Sequence, residues 1–201
     1  MPPREYTPVV ALITLKEKKV EMIQKYSCGF MFNQRRSSVV LIRKEKPEWQ
    51  TGSLNGIGGK VEPGEWAKQS MIREYEEEAG VHYEDWIHFA TITDNETFEV
   101  VFFKASDYDA YSDSMTMEGE EIVKSDVFGR AGDVTFGIDA SCLYNLNWLI
   151  PLALDEKVKN PIHVVCEPGV SMGTGDFNHI GSVIEEPKLE PQFYKDDKKQ
   201  N

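Results

Sequence analysis

Glu74, Glu77 and Glu78 stand at i, i+3 and i+4 in the run Met-Ile-Arg-Glu-Tyr-Glu-Glu-Glu-Ala-Gly that occupies residues 71–80. On a helix this spacing puts the three carboxylates on one arc of the surface. Met71, Tyr75 and Ala79 fall at i, i+4 and i+8, with Ile72 beside them, and form a separate apolar stripe that can face a core. Crowded like charges destabilise a helix by roughly a few tenths of a kcal/mol per pair, so the arrangement calls for a positive partner. A hard divalent cation, Mg2+ or Mn2+, takes such oxygen ligands. Zn2+ is disfavoured because no His or Cys accompanies the cluster. Glu76 points about 100° or more away from the three around the helix and is expected in solvent.

The cluster follows the turn Asn55-Gly56-Ile57-Gly58-Gly59-Lys60, whose glycines let the backbone approach a ligand closely. The helix is expected from about residue 65 to 79, stopped by Gly80. Carboxylates with a cation beside such a loop suit cleavage of a pyrophosphate link. That reaction needs charge neutralised on phosphoryl oxygens, a positioned water and an exit for the leaving phosphate. A net charge of −12 over 201 residues supplies no general basic field, which excludes wrapping a long nucleic acid. A small anionic substrate must then be met by metal and by local Lys or Arg. Lys60 is one candidate for that role, and a solvated surface lysine is the equal alternative.

Gly59, Glu65, Arg73, Glu74, Tyr75, Glu77, Glu78, Gly80 and Val81 match every identity-fixed position of the signature of the Nudix hydrolase superfamily, which this chain resembles. Tyr75 stands where the family usually carries an aliphatic residue, a core position at which an aromatic can pack. The resemblance implies an α/β/α Nudix sandwich, with a mixed β-sheet between helices, over residues 22–166. It implies a cation held by Glu74, Glu77, Glu78 and a carbonyl near Gly58, with Glu77 and Glu78 catalytic. Gly59, Glu65, Arg73 and Gly80 are then structural, Arg73 bracing the loop and helix through Glu65; a phosphate contact is the other reading of Arg73. The general base is either one of these glutamates or one from a later loop. The only downstream acidic cluster of that kind is Glu118-Gly119-Glu120-Glu121, and Glu121 is the single choice by its place before Ile122-Val123. An ordinary acidic loop is the alternative.

The surrounding elements fit a one-domain chain. Residues 8–15, 26–32, 38–43, 121–127 and 162–166 read as strands, and 86–93 with 97–103 as a hairpin about Asp94-Asn95-Glu96. Residues 104–120, acidic and rich in Ser, Tyr and Met, read as a long loop. Residues 141–155 read as a helix capped by Asp139 or Ser141 and kinked at Pro151. The division expected is an N-terminal extension at 1–21 with an extra strand, the catalytic domain at 22–166, an extension at 167–184 and a disordered tail at 185–201. Three cysteines without a CxxC pair, and no signal peptide, point to a reduced cytoplasmic protein. No apolar run reaches the roughly 20 residues of a membrane span.

The run 54–61 lacks the Pro that many Nudix enzymes acting on nucleoside diphosphate sugars carry before their Gly-Gly, and resembles the Asn-Gly-aromatic-Gly-Gly-Lys-Val run of the oxidised-purine nucleoside triphosphatase branch. There the Asn lies in the base pocket, so Asn55 becomes a candidate to read a base edge with its donor and acceptor. Aligned on Pro151, Asn145 falls where that branch has a base-contacting Asp, and Leu143 where it has a stacking Trp. The expected activity is hydrolysis of a nucleoside triphosphate, modified purines included, to monophosphate and pyrophosphate, with Asn55, Lys60 and Asn145 as substrate contacts. An ADP-ribose or dinucleotide pyrophosphatase, and a non-catalytic nucleotide sensor, are the alternatives. The expected partner is a small nucleotide, with no long nucleic acid and no membrane, and a homodimer is left open.

Overall fold

The computed structural model describes residues 23–117, 119–127 and 142–167. The strand expected at 8–15, Glu118, the caps Asp139 and Ser141, and the stretch from 168 to the end lie outside the described residues. In chain order the elements are β1 (Gln24–Phe32), β2 (Ser38–Arg43), β3 (Leu54–Asn55), α1 (Ala67–Ala79), β4 (Ile87–Thr93), β5 (Phe98–Ser106), α2 (Tyr108–Asp113), β6 (Glu121–Asp126), α3 (Leu146–Leu154) and β7 (Ile162–Val165).

The strands make one mixed sheet in the order β3-β2-β1-β5-β4-β7, with β6 also on β2. β1 runs parallel to β5 from Gln24↔Phe98 to Phe32↔Ser106, and meets β2 antiparallel only at its end, Met31↔Val40 and Phe32↔Val39. Farther back its open edge is taken by the glycine-rich loop, through Gly29 N–H to Ile57 O at 2.7 Å and Ser27 N–H to Gly59 O at 2.9 Å. The period-2 alternation of strands sends neighbours to opposite faces. Phe30, Phe32, Leu41 and Phe102 therefore pack with Leu146, Leu149 and Ile150 of α3. Met31, Val40, Ile42 and Phe103 pack with Met71, Tyr75 and Ala79 of α1. The sheet thus lies between helices, an α/β/α sandwich.

Three elements differ from the sequence expectation. α1 starts at Ala67 rather than about 65, because Glu65 N–H bonds Glu62 O (3.0 Å) and Glu62 N–H bonds Glu65 Oε2 (3.0 Å), closing a turn through Pro63 and Gly64 ahead of the helix. The loop expected at 104–120 instead continues β5 to Ser106 and then forms α2, whose N-cap Asp107 accepts from Ala110 N–H at 2.8 Å. Tyr75 and Tyr111 tie this short helix down through Ser114 (2.5 Å) and Ser38 (2.8 Å). α3 starts at Leu146, since Cys142 bridges Leu54 and Leu143 N–H bonds Leu54 O at 2.9 Å, and a turn at Tyr144 and Asn145 then leads into the helix.

Candidate active site

α1 is aimed by its apolar stripe. Met71, Tyr75 and Ala79 are fully buried against the sheet, which leaves the 74–77–78 arc turned to the edge where the glycine-rich loop lies against β1. Gly80, with φ +74°, ends the helix by bonding its N–H to Glu76 O at 3.0 Å. Gly58 carries φ +149°, and a Cβ there would meet Ser27 O at 2.1 Å. Only glycine lets the loop lie this close to β1. At Gly59 a Cβ would fall 2.5 Å from Glu74 Oε1, so that glycine makes room for the carboxylate.

Each box residue then has a definite place. Glu78 is mostly buried and accepts from Gly58 N–H at 3.3 Å. Burial, with the neighbouring charges of Glu74 and Glu120, pushes its carboxyl up to about 7 against the pull of Lys44. Burial also lifts the Glu74 carboxyl above its usual range, against the nearby Arg73. Glu77 is exposed and accepts from Arg73 Nη1 at 3.1 Å. Glu76 pairs with His82 Nδ1 at 2.7 Å on the solvent side, away from the other three. Arg73 spans the loop and helix, with Nε to Glu65 Oε1 at 3.0 Å, Nη2 to Glu65 Oε2 and to Lys60 O at 3.1 Å each, and Nη1 to Glu74 Oε1 at 2.8 Å.

The acidic residues after α2 divide according to strand alternation. Arg43 pairs with Glu121 across β2 and β6, and their side chains bond at 2.9 Å with Glu121 largely exposed. Ile122 lies on the α1 side of the sheet with Ile42, so the residue two before it, Glu120, lies there too. Glu120 is only 17% exposed and pairs with Lys44, which is 15% exposed; its Oε1 also accepts from the N–H groups of Glu45 and Lys46. Among the described residues of this cluster, it is Glu120 whose charge reaches Glu78, while Arg43 holds Glu121 on the other face. Lys60 is exposed and contributes its carbonyl to Arg73, and Lys44 lines the cleft.

That cleft has a volume of about 480 Å3. Its apolar lining includes Phe98, Val100, Phe102 and Leu143. Its polar lining includes Lys44 and Lys46, with the backbone of Gly58 and Gly59, and the same two glycines touch Glu78 and Glu74. Trp49 and Gln50 belong to the wall and are not marked in the sequence, since nothing in a polar, Pro-containing loop shows which residues turn inward. Asn55 donates Nδ2 to Gln50 Oε1 at 3.3 Å and accepts Gly56 N–H on Oδ1 at 2.8 Å. Asn145 is 4% exposed and its Oδ1 has no partner. Cys28 also lines the cleft, but burial pushes its thiol up to about 12, so it is protonated and no nucleophile.

Among the described residues no three His, Cys, Asp or Glu side chains stand gathered to grip an ion. The donor set nevertheless fits a hard cation: it is all oxygen, and besides the burial that chiefly raises both carboxyls, Glu78 feels the charge of Glu74 and Glu74 that of Glu77, a repulsion such an ion would relieve.

The NUDIX domain model of protein families matches residues 22–128. An oxidized purine nucleoside triphosphate hydrolase of Danio rerio is 36% identical over 93 residues, which cover 42% of this chain and 60% of that protein. The chain thus spans less than two thirds of that relative's length. A crystal structure of a mutator MutT protein from Bacillus halodurans superposes with a TM-score of 0.52 at 15% identity, over 72% of this chain and 90% of that one. A MutT protein from Methanosarcina mazei gives 0.41 at 22% identity, over 51% and 75%.

Proposed function

Since this chain belongs to the NUDIX domain family, we propose that it is a Nudix hydrolase that cleaves a nucleoside triphosphate to monophosphate and pyrophosphate. One observation carries the reading: Gly58 and Gly59 line the cleft, and these touch Glu78 and Glu74. A nucleotide with its base against the apolar lining would bring its phosphates to the carboxylates beside these glycines. The name of the Danio rerio relative supports a triphosphate.

Glu74, Glu77, Glu78 and the Gly58 carbonyl would hold Mg2+ or Mn2+, which would neutralise phosphoryl oxygens and lower the pKa of a bound water. The chain's own residues do the rest. Arg73 keeps Glu65, the loop carbonyl of Lys60 and the start of the carboxylate arc in one frame. Lys44 is a cation in the cleft wall for the phosphates. Glu120, its Oε1 fixed by two backbone N–H groups, is placed to accept a proton from water beside Glu78. Phe98, Val100, Phe102 and Leu143 exclude water around the base, and the unpartnered Asn145 Oδ1 accepts from a donor on its edge, with Asn55 supplying a second polar contact.

A panel of nucleoside triphosphates, ADP-ribose and dinucleotides, assayed for phosphate products with Mg2+, Mn2+ or chelator, tests this. Turnover of a triphosphate with metal and none in chelator is expected. Full activity in chelator, or ADP-ribose turnover far above every triphosphate, would sink it.

A further inference from the structure

Lys44, in the wall of the proposed phosphate cleft, forms an ion pair with Glu120, both side chains being more than four-fifths covered. A buried ion pair is weak evidence for stability, because desolvating two charges costs about as much as their attraction returns. This one also lies where two other carboxylates crowd.

The two partners are not held alike. Glu120 is fixed from behind by the N–H groups of Glu45 and Lys46 as well as by Lys44. Among the described residues the Lys44 ammonium donates to Glu120 alone, and it rides on a flexible four-carbon stem. The β2–β6 ladder ends with Arg43 opposite Glu121, and Lys44 and Glu120 are the next residues on either side of that end, two positions from Ile42 and Ile122, which share a face with α1. Among the described residues lining the cleft the cations are Lys44 and Lys46, and it is Lys44 whose charge reaches Glu78. An ammonium so placed serves as a resident counter-ion for the carboxylates.

We propose that Lys44 is an exchanging positioning residue: in the free protein its ammonium neutralises Glu120, and on arrival of a polyphosphate with its cation it swings to the phosphate and releases the fixed Glu120 carboxylate for the reaction. The inference rests on the hydrolase reading. It adds that the free site is latched, so that Lys44 opposes cation binding and favours phosphate binding through the same charge. An ion pair too far from the ligands to meet them would not produce that opposition.

The test separates the two ligands and needs no turnover. Mn2+ alone, and inorganic pyrophosphate alone in chelator, are titrated by calorimetry into the wild type, Lys44→Met, Lys44→Arg and Glu120→Gln. Lys44→Met should bind Mn2+ about tenfold more tightly and pyrophosphate about tenfold more weakly, because one positive charge has left the site. Lys44→Arg should stay within about threefold of the wild type for both ligands, since it keeps the charge. Glu120→Gln retains an acceptor for the two amides and frees the ammonium. It should bind pyrophosphate more tightly than the wild type, and it decides the matter if Lys44→Met does not fold. Parallel weakening of both ligands in Lys44→Met, unchanged Mn2+ affinity in it, or weaker pyrophosphate binding in Glu120→Gln would overturn the exchange. A wild type that binds both ligands as described yet hydrolyses nothing on the nucleotide panel would instead refute the hydrolase reading and leave the exchange standing.

Discussion

Arg73 grips Glu65 with both ends of its fork, Nε on Oε1 at 3.0 Å and Nη2 on Oε2 at 3.1 Å. This bidentate pair lowers the Glu65 carboxyl below its ordinary range and ties the turn before α1 to the helix itself. Lysine keeps the charge but not the fork. Arg73→Lys should therefore cost about 1.5–3 kcal/mol of stability, read as a shifted denaturant midpoint. Unchanged stability with lost pyrophosphate binding would show that Arg73 is a phosphate contact instead.

The helix arc makes a comparison between adjacent glutamates. Glu77→Gln and Glu78→Gln should each lower turnover by about two orders of magnitude or more, whereas Glu76→Gln, which alters only a surface pair with His82, should leave it within about twofold. Equal damage from Glu76→Gln would mean that the arc is wrongly assigned.

Glu78 also gives the metal-free protein a pH signature. Its folded pKa of about 7 lies above the ordinary carboxylate value, so the stability associated with its protonated form is fully present below that ordinary value and is lost as pH rises through about 7. In chelator, Glu78→Gln should melt close to the wild type near about pH 4 and above it near about pH 8. A difference that does not grow with pH would contradict the burial of this carboxyl.

Asp94 makes the opposite case. Burial opposes its ionisation, but Thr97 Oγ1 and the N–H groups of Phe98, Thr97 and Glu96 outweigh it and hold its carboxyl well below the usual range. Its contribution is present at neutral pH and is lost as pH falls through that depressed value. Asp94→Ala should cost about 1–3 kcal/mol by uncapping the β4–β5 hairpin, with kcat little changed. Unaltered thermal stability at neutral pH would count against the capping role.

The unpartnered Oδ1 of Asn145 is a buried acceptor awaiting a donor. Asn145→Ala should lower kcat/KM by about 1–3 kcal/mol for the preferred nucleotide and flatten selectivity among bases, while the metal requirement stays. Equal loss for every base would remove Asn145 from base reading.

The face of α1 was legible because the period-3.6 stripe of Met71, Tyr75 and Ala79 fixes which way the glutamates turn. The Asp94 hairpin was legible from its polar turn between two apolar runs. α2 was not: six residues with one buried side chain, Ala110, carry too little periodicity to stand out from an acidic loop. The choice between Glu120 and Glu121 was within reach of the sequence, because Ile122 on the α1 face puts Glu120 on that face as well. Lys44 could not be found without pairing β2 to β6, a contact between distant parts of the chain. The cleft wall at Trp49 and Gln50 is a loop conformation with no repeating pattern to read.

The long parallel ladder of β1 on β5 bears on how this chain is made. Across it Gln24 pairs with Phe98 and Phe32 with Ser106, some 74 positions later in the chain. On a ribosome, α1 emerges well before β5, and part of the surface that receives it, Phe103 and Ala105 among others, does not yet exist. Met71, Tyr75 and Ala79 then wait uncovered until the central pair can close, a non-local step of the kind that slows folding and exposes apolar surface. The segment richest in catalytic chemistry is thus also the one most in need of protection during synthesis.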